Sequence, residues 1–349
     1  MRNIRNLRRR QFLQLSSIAL GTSILAACTN TAENRVDTSK NEALDKVKLG
    51  FGWKAQAEYG GFYQAVAAGI YRDYGLDVSI ESTPPQTNVS QLLMGGLIDF
   101  SLGHAVDTLK AVAQGIPKVT IASFFQQEIQ ILLAHPDVGN DSLAQLKGKP
   151  IFVSPAANIT YWPFLKKKYG FADDQQRPYN FNVAPFLADK NSAQQGILTS
   201  EPYTVEQKGG FKPVVLPLTE AGYNPYTFTI ETTNKLVETN PDLVRRFVEA
   251  SIKGWYSYLN DPTLGNELIQ KENPEMTDDL IAYGIGKLKE YEILTSGDAK
   301  TLGIGAMSDD RWKTLFDELV GVEILDAKTN YKDAYTLDFV NQGIEKYKI

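Results

Sequence analysis

Apolar and polar positions alternate in short runs along residues 47–125, and helix-like stretches separate these runs. Such alternation over a few residues is typical of β-strands. The pattern predicts strands at 47–51, 76–80, 98–102 and 119–125, with helices at 62–70, 90–94 and 105–113 between them. Strands that alternate with short helices indicate βα units and a largely parallel sheet.

The pattern repeats between residues 130 and 230 and then changes. It predicts strands at 130–134, 151–153, 181–186 and 226–230, with short helices at 141–146 and 192–198 and a further helix beginning near Thr160. Beyond Asn240-Pro241, apolar residues at helical spacing predict helices at 242–259, 277–288, 309–319 and 336–347. The chain is therefore predicted to be an α/β protein with a helical C-terminal part.

The N-terminal segment has the pattern of an export signal. Five arginines between residues 2 and 10 precede a mostly apolar stretch at 12–27, which is shorter than a membrane-spanning helix needs. The order Arg9-Arg10-Gln11-Phe12-Leu13 resembles a twin-arginine signal, with the general export route as the alternative. Leu25-Ala26-Ala27-Cys28 resembles the bacterial lipobox, which implies cleavage before Cys28 and lipidation of its thiol. A chance free cysteine in the leader is the alternative.

Composition narrows the chemistry that the chain can perform. Cys28 is the one cysteine, so its lipidation leaves no thiol for a disulfide, a metal cluster or a nucleophile. The net charge of −5 argues against a nucleic-acid partner. With only His104 and His135, no nucleophile–histidine–acid triad can be assembled, and no phosphate-binding, zinc or calcium motif is present. We expect no catalytic residues, no metal and no cofactor.

Several segments resemble one group of solute-binding proteins. They are 53–65 (WKAQAEYGGFYQA), 74–78 (YGLDV), 95–100 (GGLIDF), 189–196 (DKNSAQQG) and 199–203 (TSEPY). The group serves importers of nitrate, sulfonates, taurine and thiamine pyrimidine precursors, and the last two segments resemble its thiamine-precursor and riboflavin branch. The resemblance implies a two-lobed periplasmic-binding-protein type II fold with the ligand between the lobes.

This resemblance sets the expected organisation and partners. The expected regions are a signal peptide at 1–27, a lipidated flexible tether at 28–46, lobe 1 at 47–125, lobe 2 at 126–226, and a return to lobe 1 with C-terminal helices at 227–349. The protein would be a monomer in the periplasm or on the outer face of the cell membrane, anchored through Cys28. Its partners would be a small-molecule ligand and an ABC permease.

The same family includes a eukaryotic enzyme that synthesises the thiamine pyrimidine. That eukaryotic enzyme depends on a histidine-rich site and a cysteine-rich motif with iron. The resemblance therefore implies that a chain with the same activity needs both. Two histidines and no spare cysteine do not supply that chemistry, so the sequence favours ligand capture by a non-enzyme.

Candidate ligand-binding residues follow the predicted strands of lobe 1. Trp53, Glu58 and Tyr59 follow the first strand, where a ring can stack on a ligand and a carboxylate can accept hydrogen bonds. Core packing and a helix-start charge are the alternatives for Trp53 and Glu58. Asn88 is a ligand contact or an N-cap, and His104 is a ligand contact or a structural histidine. Phe125 forms a hinge wall or belongs to the core.

Lobe 2 supplies a second set of candidates, which are Ser154, Ala157, Tyr161, Glu201 and Tyr203. The small residues precede a predicted helix, and Tyr161 faces the cleft or packs beneath it. The expected cleft loops carry Glu58, Asp107, Glu128, Asp189 and Glu201 against Lys54 and Lys190. This charge balance favours an amine-bearing aromatic heterocycle, such as a thiamine pyrimidine precursor, over nitrate or a sulfonate. Riboflavin is a further alternative.

Overall fold

The computed structural model describes residues 43–85 and 87–347, which belong to one compact unit. The predicted signal peptide, the lipidation at Cys28 and most of the predicted tether lie outside these residues. The first strand begins at Asp45, so the predicted tether, drawn to residue 46, extends two residues too far. Within the described ranges, no helix has the length and apolar character needed to cross a bilayer.

The first of two sheets carries most of the N-terminal strands. Its strands are β1 (Asp45–Phe51), β2 (Leu76–Ser82), β3 (Phe100–His104), β4 (Lys118–Phe125) and β10 (Thr227–Thr233). They lie in the order β2-β1-β3-β10-β4. β1 runs parallel to β2 and β3, whereas β10 is antiparallel to β3 and β4. The predicted strands of this region are confirmed, but the predicted largely parallel arrangement is wrong, because the return strand β10 makes two of the four pairs antiparallel.

The second sheet contains β5 (Gln130–Ala134), β6 (Ile151–Val153), β7 (Gln176–Pro178), β8 (Ala193–Ile197) and β9 (Val214–Pro217). Its order is β7-β6-β8-β5-β9. β6 is parallel to β7 and β8, and β5 is antiparallel to β8 and β9. The chain thus enters this sheet after β4 and leaves it before β10, and the loops at the carboxyl ends of the parallel strands of both sheets form the site described below.

Thirteen α-helices lie within the described residues. They are α1 (Gly60–Ala67), α2 (Ile70–Asp73), α3 (Val89–Met94), α4 (Ala105–Ala113), α5 (Trp162–Tyr169), α6 (Ala184–Ala188), α7 (Glu201–Gly209), α8 (Asn234–Thr239), α9 (Pro241–Asn260), α10 (Thr263–Glu272), α11 (Asp278–Glu290), α12 (Ala299–Leu302) and α13 (Asp309–Gly321). The predicted helices at 242–259, 277–288 and 309–319 are confirmed as α9, α11 and α13.

The long helix α9 shows how sequence determines a local structure. Asn240 accepts a hydrogen bond from the Leu243 amide through its side-chain oxygen at 3.2 Å, and Pro241 occupies the first helical position. These residues start the helix because they satisfy or remove amide donors that have no partner in the first turn. The buried face of α9, which includes Phe247 and Trp255, then packs against the first sheet and α1.

Two glycines allow α1 to approach α9 closely. A Cβ atom added to Gly61 would lie 2.2 Å from the Trp255 ring, and one added to Gly60 would lie 2.0 Å from the Tyr258 ring. The pair Gly60-Gly61 therefore serves helix–helix packing. The aromatic rings occupy the space that side chains at these positions would need.

Several predicted elements were wrong. Residues 192–198 form the strand β8 instead of a helix, because this segment is buried between β5 and β6 and tertiary pairing overrides local propensity. Residues 181–186 lead into α6 and form no strand. The predicted helix at 336–347 is absent apart from a 3-10 turn at Ile344–Tyr347, because Asn341 and Gly343 have positive φ angles of 64° and 85°. At 141–146 only a 3-10 turn, Leu143–Leu146, forms.

We predict that Gly61→Ala lowers the free energy of unfolding by about 1–3 kcal/mol, because the added methyl group collides with Trp255. Urea denaturation of the purified variants measures this loss. Gly286→Ala in α11 is the matched control, since no atom lies within 4 Å of its added Cβ. It is expected to stabilise the protein by about 0.5–1 kcal/mol. Equal effects of the two variants would contradict the packing argument.

Candidate functional site

A cavity of about 430 Å³ lies between the two sheets, and loops that follow strands of both sheets form its wall. The first sheet contributes Trp53 after β1 and His104 at the end of β3. The second sheet contributes Tyr179 after β7 and Glu201 shortly after β8. Because carboxyl ends of parallel strands meet here, the cavity has the position that ligand sites take in open α/β folds.

Five of the predicted site residues lie together in this wall. They are Trp53, Glu58, Tyr59, His104 and Glu201. Glu58 and Tyr59 belong to a short 3-10 turn, Ala57–Tyr59, that joins β1 to α1. Both side chains are buried, so Glu58 is not the solvated charge at a helix start that its alternative interpretation describes.

Four other predicted residues lie just behind the wall. The backbone amide of Ser154 and the hydroxyl of Tyr161 both donate to Gln195 Oε1 at 2.9 Å. Ala157 is fully buried, and the Phe125 ring stacks on that of Phe228 with 4.2 Å between centroids. These residues support the side chains that line the cavity and are not part of the lining themselves.

Two predicted residues lie elsewhere. Asn88 caps α3 by accepting a hydrogen bond from the Gln91 amide at 3.1 Å, and it borders a neighbouring cavity. Tyr203 packs against Tyr283, with 5.5 Å between ring centroids. The sequence already offered the N-cap as the alternative for Asn88, and this is the role that the structure gives it.

Gln195 is a cavity residue that the sequence did not single out. Its side-chain oxygen accepts the two hydrogen bonds from Ser154 and Tyr161, which fix the amide and leave its nitrogen available as a donor. The residue was missed because 192–198 was predicted to be a helix. The carboxyl end of the strand β8 borders the cavity, where Gln195, Gly196 and Ile197 all contribute to the wall.

Phe228 reaches the cavity through an irregularity in β10. The pairing register with β3 shifts between Thr227 and Thr229, and Phe228 has a φ angle of 48°. A bulge of this kind redirects a side chain that a regular strand would point elsewhere. The ring contacts Tyr59 at 5.2 Å and lies 6.5 Å from the His104 ring between centroids.

An aromatic pair spans the opening between the two sheets. Trp53 and Phe181 meet edge to face with 4.7 Å between centroids, and Tyr179 lies 5.3 Å from Phe181. Phe181 is 46% exposed and has a φ angle of 56°, which non-glycine residues seldom adopt. Backbone strain at an exposed ring beside a cavity is the combination found at ligand clamps.

Glu58 and Glu201 form an acidic pair in the cavity wall, which we call the Glu58–Glu201 pair. Glu201 Oε2 accepts hydrogen bonds from the Ile197 amide at 2.8 Å and the Ser200 hydroxyl at 2.7 Å, and Tyr179 donates to Oε1 at 3.4 Å. The pKa of Glu58 is raised to about 7, mainly by burial and additionally by the negative charge of Glu201, against the lowering effect of its hydrogen bonds. Burial also raises the pKa of Glu201, against the lowering effect of its hydrogen bonds.

Glu128 and His104 form a second polar group, which we call the His104–Glu128 pair. Glu128 Oε1 accepts a hydrogen bond from the Gln130 amide at 2.8 Å. Glu128 Oε2 and His104 Nδ1 are buried and have no hydrogen-bond partner among the described residues. Burial raises the pKa of Glu128, and the nearby imidazole of His104 opposes this rise.

The charge of the cavity is one-sided. Its wall contains the carboxylates of Glu58, Asp107, Glu128 and Glu201, and no lysine or arginine is among the described lining residues. Of the other charged residues expected at the cleft, Lys54 pairs with Glu275 at 2.5 Å and Asp189 accepts a hydrogen bond within its own turn. Neither these two nor Lys190 is part of the wall. Across residues 43–85 and 87–347, no three His, Cys, Asp or Glu side chains are grouped as metal ligands.

Comparison with known proteins places these features in a family. The family model described as NMT1/THI5 like matches residues 56–264. The chain is 23% identical over 310 residues to the riboflavin-binding protein RibY of Chloroflexus aurantiacus, covering 86% of this chain and 87% of that protein. It is 25% identical over 257 residues to the formylaminopyrimidine-binding protein of Halalkalibacterium halodurans, covering 71% of this chain and 76% of that protein.

An enzyme is among the relatives as well. The chain is 25% identical over 258 residues to the 4-amino-5-hydroxymethyl-2-methylpyrimidine phosphate synthase THI11 of Saccharomyces cerevisiae, covering 66% of this chain and 75% of the enzyme. Homologues of this chain thus include ligand-binding proteins and a synthase.

Solved structures confirm the predicted fold class. The periplasmic aliphatic sulphonate binding protein SsuA of Escherichia coli superimposes with a TM-score of 0.62 at 13% identity, covering 83% of this chain and 91% of that one. A Candida albicans protein described as having the generic periplasmic binding protein fold matches with a TM-score of 0.58 at 14% identity, covering 84% of this chain and 96% of that one. At these identities the likeness concerns the fold alone.

We predict that the ligand-free protein becomes more stable as pH falls from 8 to 5. Glu58 takes up a proton near pH 7 in the folded state but near its ordinary value of 4.5 in the unfolded chain, so the folded state binds more protons across this interval. The gain from Glu58 is at most about 3 kcal/mol. Urea denaturation at a series of pH values measures it.

Glu58→Gln should reduce the increase in the free energy of unfolding between pH 8 and pH 5, because the amide cannot titrate. Glu275→Gln is the matched control: Glu275 is exposed and Lys54 lowers its pKa, so it does not change charge in this interval. If Glu58→Gln retains the full pH dependence of the wild type, the buried carboxyl is not its source.

Proposed function

Because this chain belongs to the NMT1/THI5-like family, we propose that it is the solute-binding component of an ABC importer and captures a small, amine-bearing aromatic heterocycle. A thiamine pyrimidine precursor is the ligand class that we favour. The ligand-binding relatives, named for riboflavin and formylaminopyrimidine, support the general role.

The observation that carries this proposal is the combination of aromatic rings and carboxylates in one cavity. Trp53, Tyr59 and Phe228 offer ring faces or edges to a flat ligand. The carboxylates accept hydrogen bonds from amino groups and ring N–H groups, and such charge-assisted bonds are among the stronger polar contacts in proteins. A heterocycle with N–H donors satisfies both parts of the wall.

The same wall disfavours an anionic ligand. A sulfonate or nitrate ion needs positive side chains or several aimed N–H donors, whereas the described wall presents carboxylates from both sheets. Like-charge repulsion and desolvation would both oppose binding. The resemblance in fold to a sulphonate-binding protein therefore does not extend, in this proposal, to its ligand.

A synthase is the alternative of a different class. We favour capture over synthesis because the one cysteine of the sequence is Cys28, which the leader motif assigns to lipidation. The cavity residues also form no recognisable nucleophile and base pair among the described side chains. Both features support a protein that binds its ligand without altering it.

The proposed mechanism is closure of two lobes around the ligand. Residues 47–125 with 227–349 form lobe 1 and residues 126–226 form lobe 2, joined by the segments that cross near Phe125 and Tyr226. A ligand held by both walls favours the closed state by its differential affinity. The closed form then docks on the membrane permease, whose ATPase subunits drive uptake.

A ligand panel tests the proposal. We predict that 4-amino-5-hydroxymethyl-2-methylpyrimidine raises the melting temperature of the protein and gives a calorimetric binding signal, whereas taurine gives neither. The pyrimidine supplies N–H donors and taurine supplies a sulfonate. Stabilisation by taurine and not by the pyrimidine would contradict the proposed ligand class, and stabilisation by riboflavin alone would reassign the cavity to a flavin.

We also propose that the protein is anchored to the outer face of a membrane through lipidated Cys28. Replacing this residue by Ser removes the thiol that carries the diacylglycerol, so Cys28→Ser should move the protein from the membrane fraction to the soluble fraction after cell lysis. Immunoblotting of the two fractions measures the change. A variant that stays with the membrane to the same extent as the wild type would contradict the anchor.

A further inference from the structure

Two buried polar atoms in the cavity residues have no partner. Nine buried side-chain atoms lack a hydrogen bond among the described residues, and of these only Glu128 Oε2 and His104 Nδ1 belong to side chains of the cavity wall. A buried polar atom without a partner costs about 1–3 kcal/mol. A ligand that supplies the missing hydrogen bonds recovers this free energy when it binds.

The carboxylate of Glu128 is held in place by backbone contacts. Its Oε1 accepts a hydrogen bond from the Gln130 amide at 2.8 Å, and the Glu128 amide donates to Asn224 Oδ1 at 3.0 Å. Glu128 lies between β4 and β5, where the chain passes from one sheet to the other, and Asn224 lies in the segment that returns to β10. Glu128 is therefore fixed where both connections between the sheets meet.

His104 lines the same cavity as Glu128 but does not bond to it. The two groups interact electrostatically, yet no hydrogen bond within 3.5 Å joins them. The backbone of His104 occupies the N-cap position of α4, and its side chain makes no capping bond. An acceptor oxygen and a ring nitrogen thus belong to the lining of the same cavity, and neither has a partner among the described residues.

The Glu58–Glu201 pair differs in this respect. The two oxygens of Glu201 already accept hydrogen bonds from Ile197, Ser200 and Tyr179. Most of its hydrogen-bonding capacity is thus used within the protein. Among the described residues of the wall, the His104–Glu128 pair is the part whose buried polar atoms lack partners.

From this geometry we propose that the His104–Glu128 pair recognises an amino group that adjoins a ring nitrogen on the ligand. The amino group donates to Glu128 Oε2, and the ring nitrogen accepts a hydrogen bond from His104 Nδ1–H. This inference rests on the proposed function and deepens it, because it names the edge of the heterocycle that the protein selects. Glu128 is then a specificity-determining residue, and His104 is its partner.

A pair of pyrimidines tests this contact. One is 4-amino-5-hydroxymethyl-2-methylpyrimidine and the other is the same molecule without its 4-amino group. Calorimetry should show that the wild type binds the amino compound at least about tenfold more tightly, since a hydrogen bond to a charged group has that effect. In Glu128→Gln the affinity for the amino compound should fall until the two compounds bind nearly alike. The glutamine retains an oxygen to accept from the Gln130 amide.

Two further variants make the test specific. His104→Phe should weaken both compounds by a similar factor of about ten, because the ring nitrogen is common to both. It also tests the proposal independently if Glu128→Gln fails to fold. Asp317→Asn is the control, because this carboxylate pairs with Lys313 on the exposed face of α13 and should leave both affinities unchanged.

The outcomes separate this inference from the proposed function. If the wild type binds neither pyrimidine, the proposed ligand class fails and this contact with it. If the wild type binds and Glu128→Gln keeps the full preference for the amino compound, the contact is overturned while the proposed function stands. If the wild type prefers the amino compound and Glu128→Gln loses this preference, the result supports both the contact and the proposed function.

Discussion

Carboxylates buried in a wall without a balancing cation are the constraint on which the rest of this structure depends. Glu58 and Glu128 are 3% and 5% exposed, and no described lysine or arginine lines their cavity. Burial of a charged group is unfavourable unless it is paired or hydrogen-bonded, and here it shifts the pKa values of these groups upward. A ligand that brings N–H donors removes part of this penalty, so the penalty itself becomes a source of selectivity.

The topology brings these groups together from distant parts of the sequence. β1 and β3 of the first sheet end at the cavity, as do β7 and β8 of the second, and each is followed there by a residue with a role in the wall. The irregular register of β10 adds Phe228, which contacts aromatic residues of the first sheet. Elsewhere in the protein, charges are paired in the core, as in the ion pair between Lys118 and Glu231 at 2.7 Å. The contrast between that compensated pair and the uncompensated cavity is what marks the cavity as functional.

The sequence predicted the parts of the site that depend on strand ends and on recognisable motifs. Trp53 and Glu58 follow β1 and His104 ends β3, and the position of a strand end is enough to place them. Gln195 was missed because its segment is a strand only through pairing with neighbours distant in sequence. Phe228 was missed because a bulge has no signal in a run of alternating residues. Asn88 and Tyr203 have the right residue types at plausible positions, but local capping and ring packing occupy them instead.

The most direct test of the central claim is a crystal structure of the protein with 4-amino-5-hydroxymethyl-2-methylpyrimidine bound. We predict that the ring lies within the cavity against its aromatic residues, with a ligand nitrogen within hydrogen-bonding distance of a carboxylate of the wall. A ligand bound outside the cavity, or one whose nitrogens contact none of these carboxylates, would contradict it.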